Sequence, residues 1–379
     1  MRMLVLGAGL QGSACAYDLL QNPEVTEVRL ADLKIDHLPA FLAQYSGHRL
    51  IPTPLDVRDH EAVLGLMGQV DAVMSAIPYY FNGALAKLAV QAGVHFTDLG
   101  GNTEIVLEQK QLDAEARAKG ISVVPDTGLA PGMVNVLAQM GIDRLDTVES
   151  VRIYVGGLPQ HPEGPLKYQI VYSLEGVLDY YTTLSWVLRG GKQTQVAALS
   201  EIEAVQFPAP VGELEAFHTA GGLSTMAQRY EGRIPTMEYK TLRYPGHASI
   251  MEAIRELGLL ELEPVDVKGT KVVPRDLAVA TMGPRLRKPK SPDLVALRVI
   301  VEGVKDGKPQ RHGWQLVDHA DEEKGISAMM RTTGFTLSIT GQMQATRVVT
   351  PGVHTPDECI PGEQYVAELR KRGVVIEEI

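Results

Sequence analysis

Met3-Leu4-Val5-Leu6-Gly7-Ala8-Gly9-Leu10-Gln11-Gly12 lies at the start of the chain, and a second apolar run, Val25 to Ala31, ends against Asp32. The first four residues are the uninterrupted apolar run of a strand buried on both faces. Gly7, Gly9 and Gly12 then stand at the spacing of a dinucleotide site. Gly7 permits a tight turn, Gly9 lets backbone approach a pyrophosphate, and Gly12 lets the following helix meet the strand. The free N–H groups of Leu10 and Gln11 at that helix start are placed to receive the phosphates. Three glycines at this spacing also occur in ordinary strand-to-helix turns. Here a predicted strand precedes them, a predicted helix from Leu10 to Leu20 follows, and Asp32 closes the next strand about 20 residues on, which is the full fingerprint. A carboxylate at Asp32 accepts hydrogen bonds from the adenosine ribose and repels a 2′-phosphate, so NAD is expected rather than NADP. Lys34 lies close enough to weaken that preference, although a lysine just past a strand is usually a solvated charge. Asp56 is placed to edge the adenine pocket. Ala76-Ile77-Pro78 ends the fourth strand where the cofactor crosses the sheet; for both, the alternative is ordinary loop and strand-end chemistry.

Outward from this motif, short apolar runs alternate with amphipathic stretches, the rhythm of parallel strands joined by crossover helices. Strands are expected at Met3–Leu6, Val25–Ala31, Arg49–Pro52, Ala72–Ile77, Val94–Asp98 and Ser122–Pro125, which makes an α/β, doubly wound Rossmann sheet. After Thr127-Gly128-Leu129-Ala130-Pro131-Gly132 the texture changes. Ser150–Val155 and Leu294–Val301 alternate polar and apolar residues, as a mostly antiparallel sheet with one wet face would. Lys305-Asp306-Gly307-Lys308 reads as a hairpin turn. A helix is expected over Ile326–Met343 and another near Gln364–Arg372. The division that follows is a dinucleotide-binding domain over residues 1–130, an inserted α+β domain for substrate and oligomer contacts over 131–325, and a segment 326–379 that returns to the first domain.

The 379 residues suit roughly two domains. Hydrophobic residues at 45% and charged residues at 22% are ordinary globular values, so long disorder is not expected. A formal charge of −10 without a basic block argues against nucleic acid and against an anionic membrane surface. Cys15 and Cys359 stand alone, without metal-ligand spacing, so neither a disulfide framework nor a zinc site is implied and a reducing, cytoplasmic setting is expected. No leader pattern precedes the first strand and no apolar run reaches spanning length.

Several further blocks resemble the saccharopine dehydrogenase-like family, and within it the lysine 6-dehydrogenase branch. They are Asp98-Leu99-Gly100-Gly101-Asn102, Pro125 through Met133, Tyr154-Val155-Gly156-Gly157-Leu158-Pro159, Ser173 through Asp179, Glu215 through Thr219, Lys240 through His247, and Arg331-Thr332-Thr333. The resemblance implies NAD-linked oxidative deamination of the side-chain amine of L-lysine, with no metal and no flavin. The product would be the semialdehyde that cyclises to 1-piperideine-6-carboxylate. Relatives that form saccharopine usually carry Asp where this chain has Ala130, which favours the lysine branch. The resemblance also places the segment of Thr241 and Arg243 beside the substrate.

This chemistry needs a neutral amine, whereas a lysine side chain has a pKa of about 10.4 in water, so a desolvated pocket and a nearby base are expected. Asp98 and Asp126 each end a parallel strand at its carboxyl end, where open α/β sheets bind ligands; either could hold an ammonium or take a proton. Turn or capping chemistry is the alternative for both. Tyr79, Tyr168 and His247 are candidates for a proton relay, with structural packing as the alternative. Gly100-Gly101-Asn102 would let backbone approach the substrate and leave the Asn side chain free to bond it. Arg243 is expected to clamp the substrate carboxylate, a guanidinium being suited to two parallel hydrogen bonds. The rival readings are a saccharopine-type or carboxynorspermidine-type imine reductase, and a non-catalytic NAD-sensing protein. The expected partner is a small amino acid, and a homodimer or homotetramer is plausible from the alternating strands.

Overall fold

The computed structural model describes residues 1–288 and 291–379. Strands β1 (Arg2–Leu6), β2 (Glu27–Asp32), β3 (Leu50–Pro54), β4 (Ala72–Ser75), β5 (His95–Asp98) and β6 (Ser122–Val124) belong to one parallel sheet. Met3, Leu4, Val5 and Leu6 of β1 are all fully buried, as the unbroken apolar run requires of a central strand covered on both faces. The second sheet contains β7 (Thr147–Pro159), β8 (Ser185–Arg189), β9 (Lys192–Val196), β10 (Glu203–Gln206), β11 (Glu213–His218) and β12 (Thr236–Arg243). β13 (Val265–Val267) and β14 (Thr270–Val272) form a separate exposed hairpin, and β15 (Asp293–Lys305) and β16 (Lys308–His319) return to the second sheet through the Asp306-Gly307 turn. β17 (Gly352–Val353) and β18 (Glu377–Glu378) are contributed by the last part of the chain.

The first sheet runs in the order β17-β6-β5-β4-β1-β2-β3, a doubly wound arrangement whose switch point lies between β1 and β4. The second sheet runs β10-β11-β12-β7-β15-β16-β18, and β7 is parallel to β12 but antiparallel to β15. Against the expected single wet face, the second sheet has no uniformly wet face. Along β7, Val151, Ile153 and Val155 enter a core shared with the first sheet, while Tyr154 and Leu158 pack with Phe207 and Val211, which fold over the other side. The polar–apolar alternation survives only in the far half of β15, where Arg298, Ile300 and Glu302 are half-buried between fully buried neighbours.

The sheets are joined by two helices, Met133–Asp143 and Ala328–Ala345. Ala328–Ala345 lies against the helix Leu10–Gln21 and β4 and β5 on one side and against β15 on the other. It therefore has no solvent stripe, and its sequence is accordingly small and mixed rather than amphipathic. Thr332, Thr336 and Thr340 return their buried hydroxyls to Ala328, Thr333 and Thr336 carbonyls in their own helix at 2.8, 2.6 and 3.0 Å. Gln344 donates to the Phe96 and Ser122 carbonyls, which ties the helix end to β5 and β6. After that helix β17 extends the first sheet, and β18 then closes on β16 of the second. Among the described residues no helix is long and apolar enough to cross a membrane.

Gly334 sets how closely this helix approaches the first one. A Cβ there would lie 2.6 Å from Ala14 Cβ and 2.7 Å from the Gln11 carbonyl oxygen, neither of which can swing away. Alanine is worth about 1 kcal/mol more than glycine inside a helix, but overpacking of this kind costs about 1–3 kcal/mol. Gly334→Ala is therefore expected to lower the melting temperature and to weaken dinucleotide binding as the helix Leu10–Gln21 is pushed aside. A variant that melts higher than wild type and binds NAD unchanged would contradict this account.

Candidate active site

The glycine motif adopts the conformation its spacing implies. Gly7 has φ of 96°, and a Cβ on it would meet the Ala76 carbonyl oxygen at 2.7 Å and Ile77 Cγ2 at 2.9 Å. A Cβ on Gly12 would lie 1.8 Å from the Gly7 carbonyl oxygen, so helix and strand touch through hydrogen atoms alone. Gly9 opens onto free space and caps the helix that begins at Leu10, leaving its first N–H groups open. Asp32 receives the Ala8 N–H at 2.7 Å and the Lys34 N–H at 3.0 Å, which aims its carboxylate along the rim of this turn. Half-buried Gln11 has both carboxamide atoms shut away from solvent and neither hydrogen-bonded. An open helix start, a side-chain-free approach at Gly9 and an unpartnered amide all fit a bound dinucleotide. Asp56 has its carboxylate on Arg58 of its own turn at 2.6 to 3.1 Å, which holds it down to about 2, so in this structure it serves that turn.

Asp98 and Asp126 are both almost wholly buried at the carboxyl ends of β5 and just past β6, but they are not equivalent. Asp98 accepts from the Gly100 N–H at 2.7 Å and from Gln109 Nε2 at 2.7 Å. Asp126, in the left-handed region at φ 61°, has one longer bond from the Gly101 N–H at 3.3 Å and the Ser224 hydroxyl beside it. Burial pushes Asp98 up to about 6 and Asp126 up to about 7, the latter helped by the charge of Asp98. Gly100 must be glycine, since a Cβ would lie 1.6 Å from Asp126 Oδ1. Asn102 is only half free: its side-chain oxygen accepts from Glu104 and Ile105 N–H at 3.0 and 3.2 Å and caps the helix Thr103–Lys110, which leaves the amide nitrogen as the group it could offer a ligand.

Across this edge stand residues that sequence reasoning missed, on the helix Leu174–Thr182, on the segment after β11 and on β12. Tyr180 places its hydroxyl against Gly101, next to Tyr79, and interacts with Asp126 and Tyr239. The loop after β11 carries Gly221 under the Tyr180 ring and Gly222 under the Tyr239 ring, where a Cβ would come within 2.3 Å. Ser224 and Thr225 of this loop have buried hydroxyls without partners. Two signals could have found these residues. The block Ser173–Asp179 stops one residue before Tyr180-Tyr181, and Ala220-Gly221-Gly222 repeats the habit of Leu99-Gly100-Gly101 beyond a strand.

From Tyr239 the site continues to Thr241, whose hydroxyl meets Thr219 at 2.8 Å, and to Arg243 at the end of β12. Three cations are buried among the described residues. Lys240 pairs with Glu203 and Arg275 with Asp179, whereas Arg243 has no carboxylate partner. It instead lies over the Tyr168 ring at 4.9 Å and donates to the Tyr181 hydroxyl at 3.2 Å and the Leu242 carbonyl at 2.8 Å. Glu215, opposite it on β11, is engaged elsewhere: its oxygens accept from the Gly246 and Ala248 N–H groups at the start of the helix His247–Glu256. The Tyr168 hydroxyl is buried and unpartnered. His247 is corrected as a proton relay: one ring nitrogen meets the Tyr181 hydroxyl and the other ends on the Leu166 backbone carbonyl, each at 2.9 Å, a carbonyl passes no proton on, and burial with the Arg243 charge pushes the imidazole down to about 3. Further along β11 and β12, His218 and Glu238 converge with Glu201 of the segment before β10 closely enough to suit a metal ion. Arg189 Nη2 already stands among them at 2.9, 3.4 and 2.7 Å, so a guanidinium supplies the positive charge there.

Two family models match the chain: the saccharopine dehydrogenase NADP-binding domain over residues 3–124 and the saccharopine dehydrogenase C-terminal domain over 128–374. Mitochondrial alpha-aminoadipic semialdehyde synthase of Mus musculus is 27% identical over 276 residues, 69% of this chain but 29% of that protein. The NADP-dependent, L-glutamate-forming saccharopine dehydrogenase of Saccharomyces cerevisiae is 28% identical over 268 residues, 68% of this chain and 58% of the relative. The chain thus spans well under two thirds of these relatives. Among solved structures, the apo, L-Glu-forming saccharopine dehydrogenase of Saccharomyces cerevisiae superposes with a TM-score of 0.81 at 21% identity, covering 100% of this chain and 99% of that one. The homospermidine synthase of Legionella pneumophila, in complex with NAD, gives 0.69 at 12% identity, covering 100% and 91%. These likenesses establish the fold.

The two aspartates make stability depend on pH in a definite direction. A carboxyl whose folded pKa lies above its unfolded value stabilises the fold while protonated, and that contribution is lost as pH rises through the folded value. Asp98 spans the window from about 4 to 6, and Asp126 the window from about 4 to 7. Asp126→Asn is therefore expected to remove a loss of at most about 1.4 kcal/mol per pH unit, most visibly between about pH 5 and 6, where the folded carboxyl still holds its proton and the unfolded one has lost it. Denaturant melts of wild type and variant at half-unit steps would reveal it as a flatter profile for the variant; parallel profiles would refute the assignment.

Proposed function

The chain belongs to the saccharopine dehydrogenase family, and on that premise we propose that it is an NAD-dependent oxidoreductase that oxidatively deaminates the side-chain amine of L-lysine. The observation that carries this reading is Arg243, a buried guanidinium without a carboxylate partner, beside a buried tyrosine hydroxyl equally unpartnered. A buried charge left unpaired is costly, and a ligand carboxylate is the group that completes it. Lysine has one carboxylate and saccharopine has three, so a pocket with a single unpaired guanidinium favours the smaller substrate.

In this reading Arg243 and Tyr168 hold the α-carboxylate, while the chain of the substrate passes Tyr239 and Tyr180 toward Asp126. Gly100 makes room for Asp126, and Gly221 and Gly222 for the Tyr180 and Tyr239 rings, so the two turns set these side chains beside the substrate. The side-chain ammonium enters the desolvated space by Asp126, where burial lowers the amine's own affinity for its proton. Asp126, titrating near 7, accepts that proton above neutrality and leaves a lone pair on the nitrogen. The dinucleotide bound at Gly7–Gly12 supplies the hydride acceptor. Water then hydrolyses the substrate imine, releasing ammonia and the semialdehyde that cyclises to 1-piperideine-6-carboxylate. NAD is preferred over NADP in this proposal because Asp32 offers a carboxylate where a 2′-phosphate would lie.

Purified protein with NAD and L-lysine at alkaline pH, and no keto acid, is expected to generate NADH absorbance that vanishes when lysine is omitted. NAD(P)H consumption only after a keto or semialdehyde partner is added would transfer the protein to the imine-reducing reading. Arg243→Ala is expected to raise the lysine KM by about 100-fold, the scale of a lost charge-assisted bidentate contact, with NAD affinity within about twofold. Asp32→Ala should do the reverse, weakening NAD far more than lysine; equal NAD binding would remove Asp32 from the ribose.

A further inference from the structure

We propose that Tyr181 and His247 are positioning residues that fix the direction of every hydrogen bond behind Arg243 and so impose the requirement for a carboxylate on the substrate; this rests on the reading of Arg243 given above. The order of the protons follows from elementary constraints. The Leu166 carbonyl can only accept, so His247 Nδ1, 2.9 Å away, carries a hydrogen. The imidazole is boxed in by Tyr168, Tyr181 and Phe217 and lies near Arg243, and burial and that charge push its pKa down to about 3. It is therefore neutral, and Nε2 is a bare acceptor. Tyr181 Oη, 2.9 Å from Nε2, must donate its proton there. Its lone pair is then turned to Arg243 Nε, which can only donate, at 3.2 Å.

A backbone carbonyl at one end and a guanidinium at the other thus leave no alternative arrangement of hydrogens. The Leu242 carbonyl holds Nη1 in the same way. Two donors of the guanidinium are spent on the wall of the pocket, and its remaining N–H groups face a ligand in one orientation. Such preorganisation raises affinity by removing the freedom that a flexible arginine would lose on binding.

The test compares two amines that differ only in the carboxylate, L-lysine and 1,5-diaminopentane, in Tyr181→Phe, His247→Leu and His247→Gln. The glutamine carboxamide can accept from Tyr181 and donate to Leu166, so it preserves the order that leucine destroys. Tyr181→Phe and His247→Leu are expected to raise the lysine KM about tenfold or more, with kcat and the NAD KM within about threefold, and His247→Gln to recover most of the loss. kcat/KM for 1,5-diaminopentane should change by at most about twofold in all three, since it gives Arg243 nothing to hold. Equal losses on both amines, or an unchanged lysine KM, would overturn the proposal while leaving lysine oxidation intact. If the wild-type protein oxidises neither amine, the reaction assigned above fails separately. Calorimetric titration of L-lysine and of saccharopine into the NADH complex then decides the matter. Affinity lost in Tyr181→Phe and His247→Leu and regained in His247→Gln sustains the proposal; equal affinity, or no binding to wild type, overturns it.

Discussion

Everything in this molecule is built around the burial of one helix, Ala328–Ala345, between two sheets. Fourteen of its eighteen residues are buried, so it satisfies its polar side chains internally or by reaching into neighbouring strands. Because it covers β4 and β5 on one side and β15 on the other, the dinucleotide sheet and the interior of the mixed sheet are held in fixed register. The placement of Asp126, just past β6, relative to Arg243, at the end of β12, depends on that register. Small residues at Gly334 and Gly341 allow the approach, the latter under Met74 of β4.

The polar residues of the site are divided by what the surrounding backbone demands. Helix starts and tight turns claim carboxylates first: Glu215 caps one helix, Asp98 anchors the Gly100 turn and Asp56 closes its own loop. Arg243 and Asp126 are what this competition leaves unspent. A cation and an acid with unfilled bonding capacity, in a space walled by neutral tyrosines, make a site that is incomplete by itself.

The parallel sheet and its glycine turn were legible in the sequence because each strand is a contiguous apolar run and each glycine acts on residues near it in the chain. Arg243 and Asp126 could be singled out in advance, the first through a block of familial resemblance and the second through its place after a strand, but that both would be buried with so few partners was not written in either signal. Asn102 and His247 looked equally reactive in one dimension. What separates them is a neighbour distant in sequence or a local N–H that no periodicity records. Tyr180, Tyr181 and Gly222 escaped for the same reason, since their importance lies in facing Gly101, Arg243 and Tyr239 across a gap between elements. The wet face was over-read because alternation cannot reveal that Phe207 and Val211 fold back over the strand.

The position of the keystone helix near the end of the chain bears on the order in which the molecule can form. During synthesis β1 to β6 emerge first, yet one face of β4 and β5 gains its cover only when residues 328–345 arrive. Until then the nascent dinucleotide sheet presents Met74 and its neighbours to the surroundings as a sticky half-core. A nucleotide domain severed after residue 130 would share that condition permanently, so the two halves of this fold are better regarded as one cooperative unit that completes itself last at its centre.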